Sequence, residues 1–392
     1  MMDLKKAQRL ILEATPVLGR ESVPILDALK RVLVQDIVAV EDLPASDISA
    51  MDGYAVCHAF LHTASGQNPV RFRIIGESPA GRPFGGTVGT DEAVRIMTGG
   101  VVPRGADTVV KLEDTREEGG VVICRNDPGP GSGIRFRGDS LKKGQKVLSA
   151  GDVVGPMEVG ALASLRRAYV HVHRKPLVAI LSTGDELSDF HEPSSPSKAM
   201  CSNLYTLAAQ TLETGGIPLC LGIVPDDLEE IKNILNDALH ADVIITSGGT
   251  SKGKYDLVNK AVSSLGMEMR FSNIFAKPGK PTIFGIIGEK MIFGCPGNPS
   301  ATLLSFEQFI KPALLKMMGH REVTSDFRSF NGPFALIDSF NEEGGGNKEH
   351  HRAPQIPLGR PLPGAGRQIQ KHKPEPADSM PEPIPACSMG SR

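Results

Sequence analysis

The stretch that decides the fold is PLVAILSTGDEL, residues 176–187. Seven of its first eight positions are apolar or small, and it then breaks into a polar turn with glycine. A continuous apolar run of this length predicts a strand buried on both faces, as in a parallel sheet. Working outward, the same pattern returns. A helix is expected after Ser202 as N-cap, with Leu204, Leu207, Ala208 and Leu212 on one face and Gly215-Gly216 closing it. Next come the strand IPLCLGIV, the turn Pro225-Asp226-Asp227 and the helix LEEIKNILNDALH. The strand ADVIIT leads into the loop SGGTSKGKYD. Further strands are expected near 267–274, 281–286 and 290–294, a helix near 256–265, and a long helix over 301–317. Strands alternating with helices imply a doubly wound, mostly parallel α/β domain.

The N-terminal half reads differently. Helical periodicity is expected over residues 3 to 40, from Leu4, Ala7, Leu10 and Ile11 and then from Val23 to Val34. Residues 54–135 carry short alternating runs between Gly/Pro clusters, which predicts a β-rich insert. A helix is expected near 156–167. The segment from 341 on is rich in Pro, Gly, His and Arg, lacks apolar periodicity and is expected to be disordered.

Composition narrows the function. The 392 residues carry 43 Lys+Arg against 45 Asp+Glu, a net charge of −2. No basic excess points to nucleic acid or a membrane surface. Trp is absent and Tyr numbers four, so base-stacking platforms are few. No apolar run approaches the roughly 18 residues of a membrane span. The six cysteines show no CxxC spacing, and reduced, buried thiols of a cytoplasmic protein are expected. The first residues read as an amphipathic helix, not a signal peptide.

Ligands of an open parallel sheet bind beyond the carboxyl ends of its strands. Four polar turns fall there: Thr183-Gly184-Asp185-Glu186, Pro225-Asp226-Asp227, Ser247-Gly248-Gly249-Thr250-Ser251-Lys252, and Cys295-Pro296-Gly297-Asn298-Pro299-Ser300. Paired glycines let backbone N–H groups converge on an anion, and Ser/Thr hydroxyls add donors. Lys277 and Lys280, on the stiff loop AKPGKP, supply cations for phosphate. Asp185, Glu186 and Asp256 are carboxylates suited to Mg2+, which prefers oxygen ligands and bridges phosphates. Asp226 or Asp227 would equally serve as the N-cap of the next helix. In the N-terminal half, SAMDGYAV (49–56) and IMTGGVVPRGADTVVKLED (96–114) are the dense candidates. A hairpin turn at Asp52-Gly53 and an ordinary β-turn at Thr98-Gly99-Gly100 are their plain readings.

Taken in order, SAMDGYAV, IMTGGVVPRGADTVVKLED, VAILSTGDEL, SNLYTLAAQTLETGG, DVIITSGGTSKGKYD, KPGKP and FGCPGNPSA resemble the MoeA family of molybdopterin molybdenumtransferases, which includes the gephyrin E domain. The resemblance covers residues 1–325. It implies a split helical/β dimerisation lobe (1–46 and 137–173), an inserted β lobe (47–136) and a MogA-like α/β domain (174–323). A remnant of the C-terminal β-barrel would then occupy 324–392. It implies a homodimer that cleaves adenylated molybdopterin, inserts molybdate at the dithiolene and releases AMP, with Mg2+. An adenylyltransferase of the MogA kind would be a functional partner, as would downstream apo-molybdoenzymes.

By the same resemblance Asp52, Thr98, Glu186, Asp227 and Asp256 match catalytic positions, and the four acidic ones match metal ligands. Lys277 and Lys280 match the family's loop lysines. Three departures stand out. Arg137-Gly138-Asp139-Ser140 replaces Arg-Gly-Glu-Asp, Cys201-Ser202-Asn203 replaces Asp-Ser-Asn, and Lys254 stands where an acidic residue is usual. The competing readings are a MogA-like molybdopterin adenylyltransferase and a non-catalytic molybdopterin-binding scaffold.

Overall fold

A computed structural model describes residues 2–248, 257–272, 274 and 282–323. Gly249, Thr250, Ser251, Asp256, Lys277, Lys280 and the whole segment from 324 on lie outside the described residues. The disorder expected of the tail therefore falls outside them as well.

The 176–187 stretch forms the strand Leu177–Thr183, an inner strand next to one edge of a six-stranded sheet. The strands Ile217–Val224 and Val243–Ser247 flank it, both parallel, and Lys290–Cys295 lies parallel beyond the latter. Ile283–Ile287 and Glu268–Phe271 complete the sheet antiparallel, so it is mixed. The apolar run is continuous because successive residues face different cores. Val178 and Ile180 pack with Leu204, Leu207, Phe306 and Leu314 on one face. Ala179 and Leu181 pack with Ile231, Leu235, Val258 and Val262 on the other. The helix Leu4–Ala14 adds Ala7 and Ile11 to the first of these cores.

The expected helix over 301–317 is broken. Pro299–Ser305 and Lys311–Met317 are α-helical, but Phe306–Ile310 between them is a π-turn. Pro312 has no N–H to give the Gln308 carbonyl, which instead accepts from Gln8 Nε2 at 3.1 Å. The helix expected across Val23 to Val34 is absent. Arg20–Pro24 is a strand, paired antiparallel with Tyr169–His173, and turns follow. Tertiary pairing overrides a weak helical pattern that already contains Pro24. Ala28, Leu33 and Ile37 then share a core with Leu162, Leu165 and Val172. Ser202 does not cap its helix. Cys201 stands at the N-cap and makes no side-chain bond, while Gly215 ends the helix at φ 100°.

The β-rich insert is a second six-stranded sheet. Its strand Gly53–Val56 lies between Glu92–Ile96 and Thr108–Lys111, antiparallel to both. Asp52-Gly53 is thus the entry to an inner strand and not a hairpin turn. Cys124, Cys201 and Cys295 are buried cysteines, whereas Cys220 is exposed on the edge strand Ile217–Val224. Among the described residues no helix is long and apolar enough to cross a membrane.

One polar clamp sets the start of the strand Leu177–Thr183. Asp242 accepts both Nη groups of Arg174 at 2.7 Å and the Leu177 N–H at 2.9 Å. Burial pushes its carboxyl up, but the Arg174 and Leu177 hydrogen bonds outweigh it and hold the carboxyl below the usual range. Arg174 is partly solvent-screened, which lowers the value of the pair. Asp242→Ala is expected to cost about 1–2 kcal/mol in urea unfolding, because the half-buried Leu177 N–H and the partly exposed Arg174 guanidinium lose their charged acceptor. The carboxyl is depressed in the folded state. Its stabilisation is therefore present above the unfolded value of about 4 and lost as pH falls through the lower folded value.

Candidate active site

The site is built on the reversal in strand order. From Leu177–Thr183 the chain crosses to Ile217–Val224 on one side, then returns to Val243–Ser247 on the other. The crevice beyond the carboxyl ends of these strands is where a doubly wound sheet holds ligand. Parallel register puts Ser182 opposite Ser247, and Ser247 opposite Cys295. A cavity of about 710 Å3 opens there, lined among others by Ser182, Thr183, Glu186, Asn203, Ser247 and Asn298. Gly248 lines it too, at φ 91°, and a Cβ there would stand 2.4 Å from the Thr183 carbonyl oxygen. Only glycine lets the two loops approach this closely.

Hydrogen bonds tie the loops together. Thr183 Oγ1 donates to Asp226 at 2.9 Å, and the Asp226 N–H donates to Asp185 at 3.1 Å. Asp227 caps the helix Leu228–Ala238, its Oδ1 accepting from the Glu229 and Glu230 N–H groups at 2.9 and 3.0 Å. Asn298 caps Pro299–Ser305 through Ala301 at 3.0 Å and accepts from Ser300 Oγ at 2.8 Å. The Pro296 carbonyl accepts from Ser247 Oγ at 3.4 Å and from Thr302 Oγ1.

Asn203 is the residue absent from the sequence-derived site. It is nine-tenths buried, and its Nδ2 donates to Ser247 Oγ at 2.7 Å and to the Gly297 carbonyl at 2.8 Å. It therefore bolts the Ser247 loop to the Pro296–Ser300 turn. The string Cys201-Ser202-Asn203 held the signal, but nothing local predicts bonds to such distant loops.

In the N-terminal half, Asp52 and Thr98 come together. Asp52 Oδ1 accepts the Thr98 N–H at 2.7 Å and the Thr98 hydroxyl at 2.8 Å. The Thr98 N–H, then its hydroxyl, hold the Asp52 carboxyl below the usual range. Both residues are exposed. The described lining of the cavity comes wholly from residues 182–299, so it does not include this pair. Asp139 is occupied locally, with Oδ2 accepting the Phe136 N–H at 2.6 Å, and Ser140 Oγ accepts from Arg135 at 2.8 Å. Among the described residues, no three His, Cys, Asp or Glu side chains gather as a metal-holding group.

Comparison with known proteins covers both halves. Residues 2–165 match the MoeA N-terminal region (domain I and II), and residues 179–316 match the "Probable molybdopterin binding domain". The chain is 35% identical over 327 residues to a molybdopterin molybdenumtransferase of Nostoc, covering 81% of this chain and 75% of the relative. It is 37% identical over 299 residues to that of Bacillus subtilis, covering 75% of this chain and 70% of the relative. The crystal structure of the MoeA molybdopterin-biosynthesis protein of Pyrococcus horikoshii superposes with a TM-score of 0.74 at 32% identity. That match spans 82% of this chain and 81% of the archaeal one. Two consecutive domain matches, relatives above 30% identity and a shared fold lead to one conclusion: the chain belongs to the MoeA family.

Proposed function

We propose that this chain is a molybdopterin molybdenumtransferase, acting in molybdenum cofactor biosynthesis on adenylated molybdopterin and molybdate with release of AMP. The observation that carries the reading is the cavity between Thr183, Asn203, Ser247 and Asn298, which lies within the segment matched to molybdopterin binding. Ser247 and the Gly248 backbone offer hydroxyl and N–H donors suited to a phosphoanhydride. Cleavage of the phosphorus–oxygen bond to AMP, by a molybdate or water oxygen, calls chiefly for positioning and charge stabilisation. Asn203 supplies positioning by fixing two loops at once. Lys277 and Lys280, by the resemblance, would meet the phosphate charge. Of the four carboxylates that the resemblance offers to Mg2+, Asp256 lies outside the described residues, and among the described residues no three His, Cys, Asp or Glu side chains converge.

The domain division belongs to the same proposal. Residues 1–46 with 137–173 would form a dimerising lobe, and 47–136 would carry Asp52 and Thr98 to the partner's α/β domain. A MogA-like adenylyltransferase would lack that lobe. The match over 2–165 and the Asp52–Thr98 pair therefore favour the insertase.

Asp227 gives the sharpest test. Alanine would remove a helix cap worth about 1 kcal/mol as well as a charge. Asp227→Asn keeps an oxygen for the Glu229 and Glu230 N–H groups and removes only the charge. The variant is expected to bind adenylated molybdopterin and unfold like the wild type, but to release AMP at least about tenfold more slowly. Wild-type release would reduce Asp227 to a cap, and a wild-type chain that binds without releasing AMP would be a scaffold.

A further inference from the structure

After Leu187–Ser188 the chain runs out through residues 189–198 and returns as Ala199–Met200, which pairs in parallel with the strand it left. The Ala199 N–H donates to the Glu186 carbonyl at 2.7 Å, and the Cys201 N–H to that of Ser188 at 2.9 Å. Leu187, Ala199 and Met200 line the cavity, so residues 189–198 form a strap rooted at both ends in the cavity wall. Most of the strap is exposed. Its described polar and ring contacts run within the strap, such as Lys198 with Glu192 at 3.9 Å and Ser195 with Ser197 at 3.0 Å, with one exception.

The exception is Tyr205. It stands on the helix Ser202–Thr214, which is fixed in the core by Leu204 and Leu207. Its hydroxyl donates to Asp189 Oδ1 at 2.6 Å, and its ring lies 5.2 Å from that of Phe190, which in turn stacks on His191 at 4.0 Å. A charge-assisted hydrogen bond and a ring contact thus tie the strap to a rigid element at one point. The bond holds the Asp189 carboxyl below the usual range and pushes Tyr205 up to about 12. Donor and acceptor therefore keep their protonation states across neutral pH. We propose that Tyr205 is the latch of this strap and that the latch sets how long a ligand stays in the cavity. The strap buries little apolar surface of its own, so its anchor decides whether Leu187, Ala199 and Met200 hold their places or swing out. Tyr205 is not part of the cavity lining and acts through the strap, as a positioning residue. Only the ligand chosen for the test rests on the insertase reading above.

Tyr205→Phe keeps the ring contact and removes only the hydroxyl. Two measurements on the full chain test it. Limited trypsin cleavage after Lys198, read by mass spectrometry without ligand, is expected to speed up about three- to tenfold. Dissociation of adenylated molybdopterin is expected to speed up by a similar factor, the worth of one exposed charged hydrogen bond. KM should rise with it while kcat stays within about twofold, and the thermal midpoint should match the wild type because Tyr205 is exposed. Asp189→Ala should do the same, and the double variant should do no more, since both changes break one bond. Unchanged cleavage at Lys198 would overturn the latch. Faster cleavage with wild-type dissociation would overturn its control of ligand residence, and a lowered midpoint would reduce Tyr205 to a structural contact. A wild-type chain that does not bind adenylated molybdopterin would remove the insertase reading, whereas faster cleavage in Tyr205→Phe would still establish the latch.

Discussion

Asp52→Ala is expected to lower AMP release from adenylated molybdopterin by about a hundredfold or more, with almost no change in the unfolding midpoint. The size follows from the proposed role, since removing a preorganised charge at a reacting centre typically costs about 10²–10³ in rate. The small stability effect follows from exposure. Asp52 lies at the surface, and its backbone is held independently by the Leu112 N–H, which donates to the Asp52 carbonyl at 3.1 Å. Both Thr98 bonds fall on Oδ1, so Oδ2 takes no part in them. Asp52→Asn separates charge from geometry, since its amide oxygen can still accept from Thr98. Loss of turnover in both variants assigns the role to charge, and full turnover in Asp52→Asn would assign it to the Thr98 bonds. Turnover at the wild-type rate in Asp52→Ala would remove Asp52 from the chemistry.

The pH behaviour follows from the same bonds. Thr98 holds the folded-state carboxyl below its unfolded value of about 4. Whatever Asp52 adds to stability is therefore present above that value and lost as pH falls through the lower folded one. It is fully ionised between about pH 6 and 9. Asp52→Asn should scale the pH–rate profile down across that window without moving its midpoints. A shifted limb would mean that Asp52 controls the titration of another group.

The parts legible in the sequence are those that local chemistry determines. Val178 to Leu181 had to be buried on both faces, and a polar turn after Thr183 had to open at a strand's carboxyl end. Asp227 is a helix cap, as its position before an apolar-periodic run implied. Gly215 closes its helix in the left-handed conformation for which glycine is favoured. What escaped depends on partners far along the chain. Arg20–Pro24 is a strand only because Tyr169–His173 lies beside it. Phe306–Ile310 widens because Pro312 withholds a donor and Gln8 supplies one. Asn203 matters because its amide reaches Ser247 and Gly297, contacts that helical periodicity does not encode. Asp52 and Thr98 were visible as two separate motifs, but their bond is a property of the sheet that joins them.

That sheet makes the second large effect predictable. Gly53 begins the inner strand Gly53–Val56, opposite Ile96 on one side and Lys111 on the other. A Cβ at Gly53 would lie 2.0 Å from the Val110 carbonyl oxygen and 2.9 Å from its carbon. These are backbone atoms, so no rotamer change relieves the clash, and Gly53–Val56 and Thr108–Lys111 must move apart. Gly53→Ala is therefore expected to cost about 3 kcal/mol in urea unfolding, at the upper end of overpacking. Gly66→Ala is the internal control. Nothing stands within 4 Å of a Cβ there, so its effect should be near zero. The strain at Gly53 also lies next to Asp52, while Thr98 follows the neighbouring strand Glu92–Ile96. Moving either strand parts the carboxylate from its donors. Gly53→Ala should thus lose turnover and stability together, whereas Asp52→Ala loses turnover alone. If Gly53→Ala unfolds like the wild type yet releases no AMP, glycine is needed there for ligand approach and not for strand packing. If it keeps both properties, the sheet tolerates the displacement and the Asp52–Thr98 geometry does not depend on it.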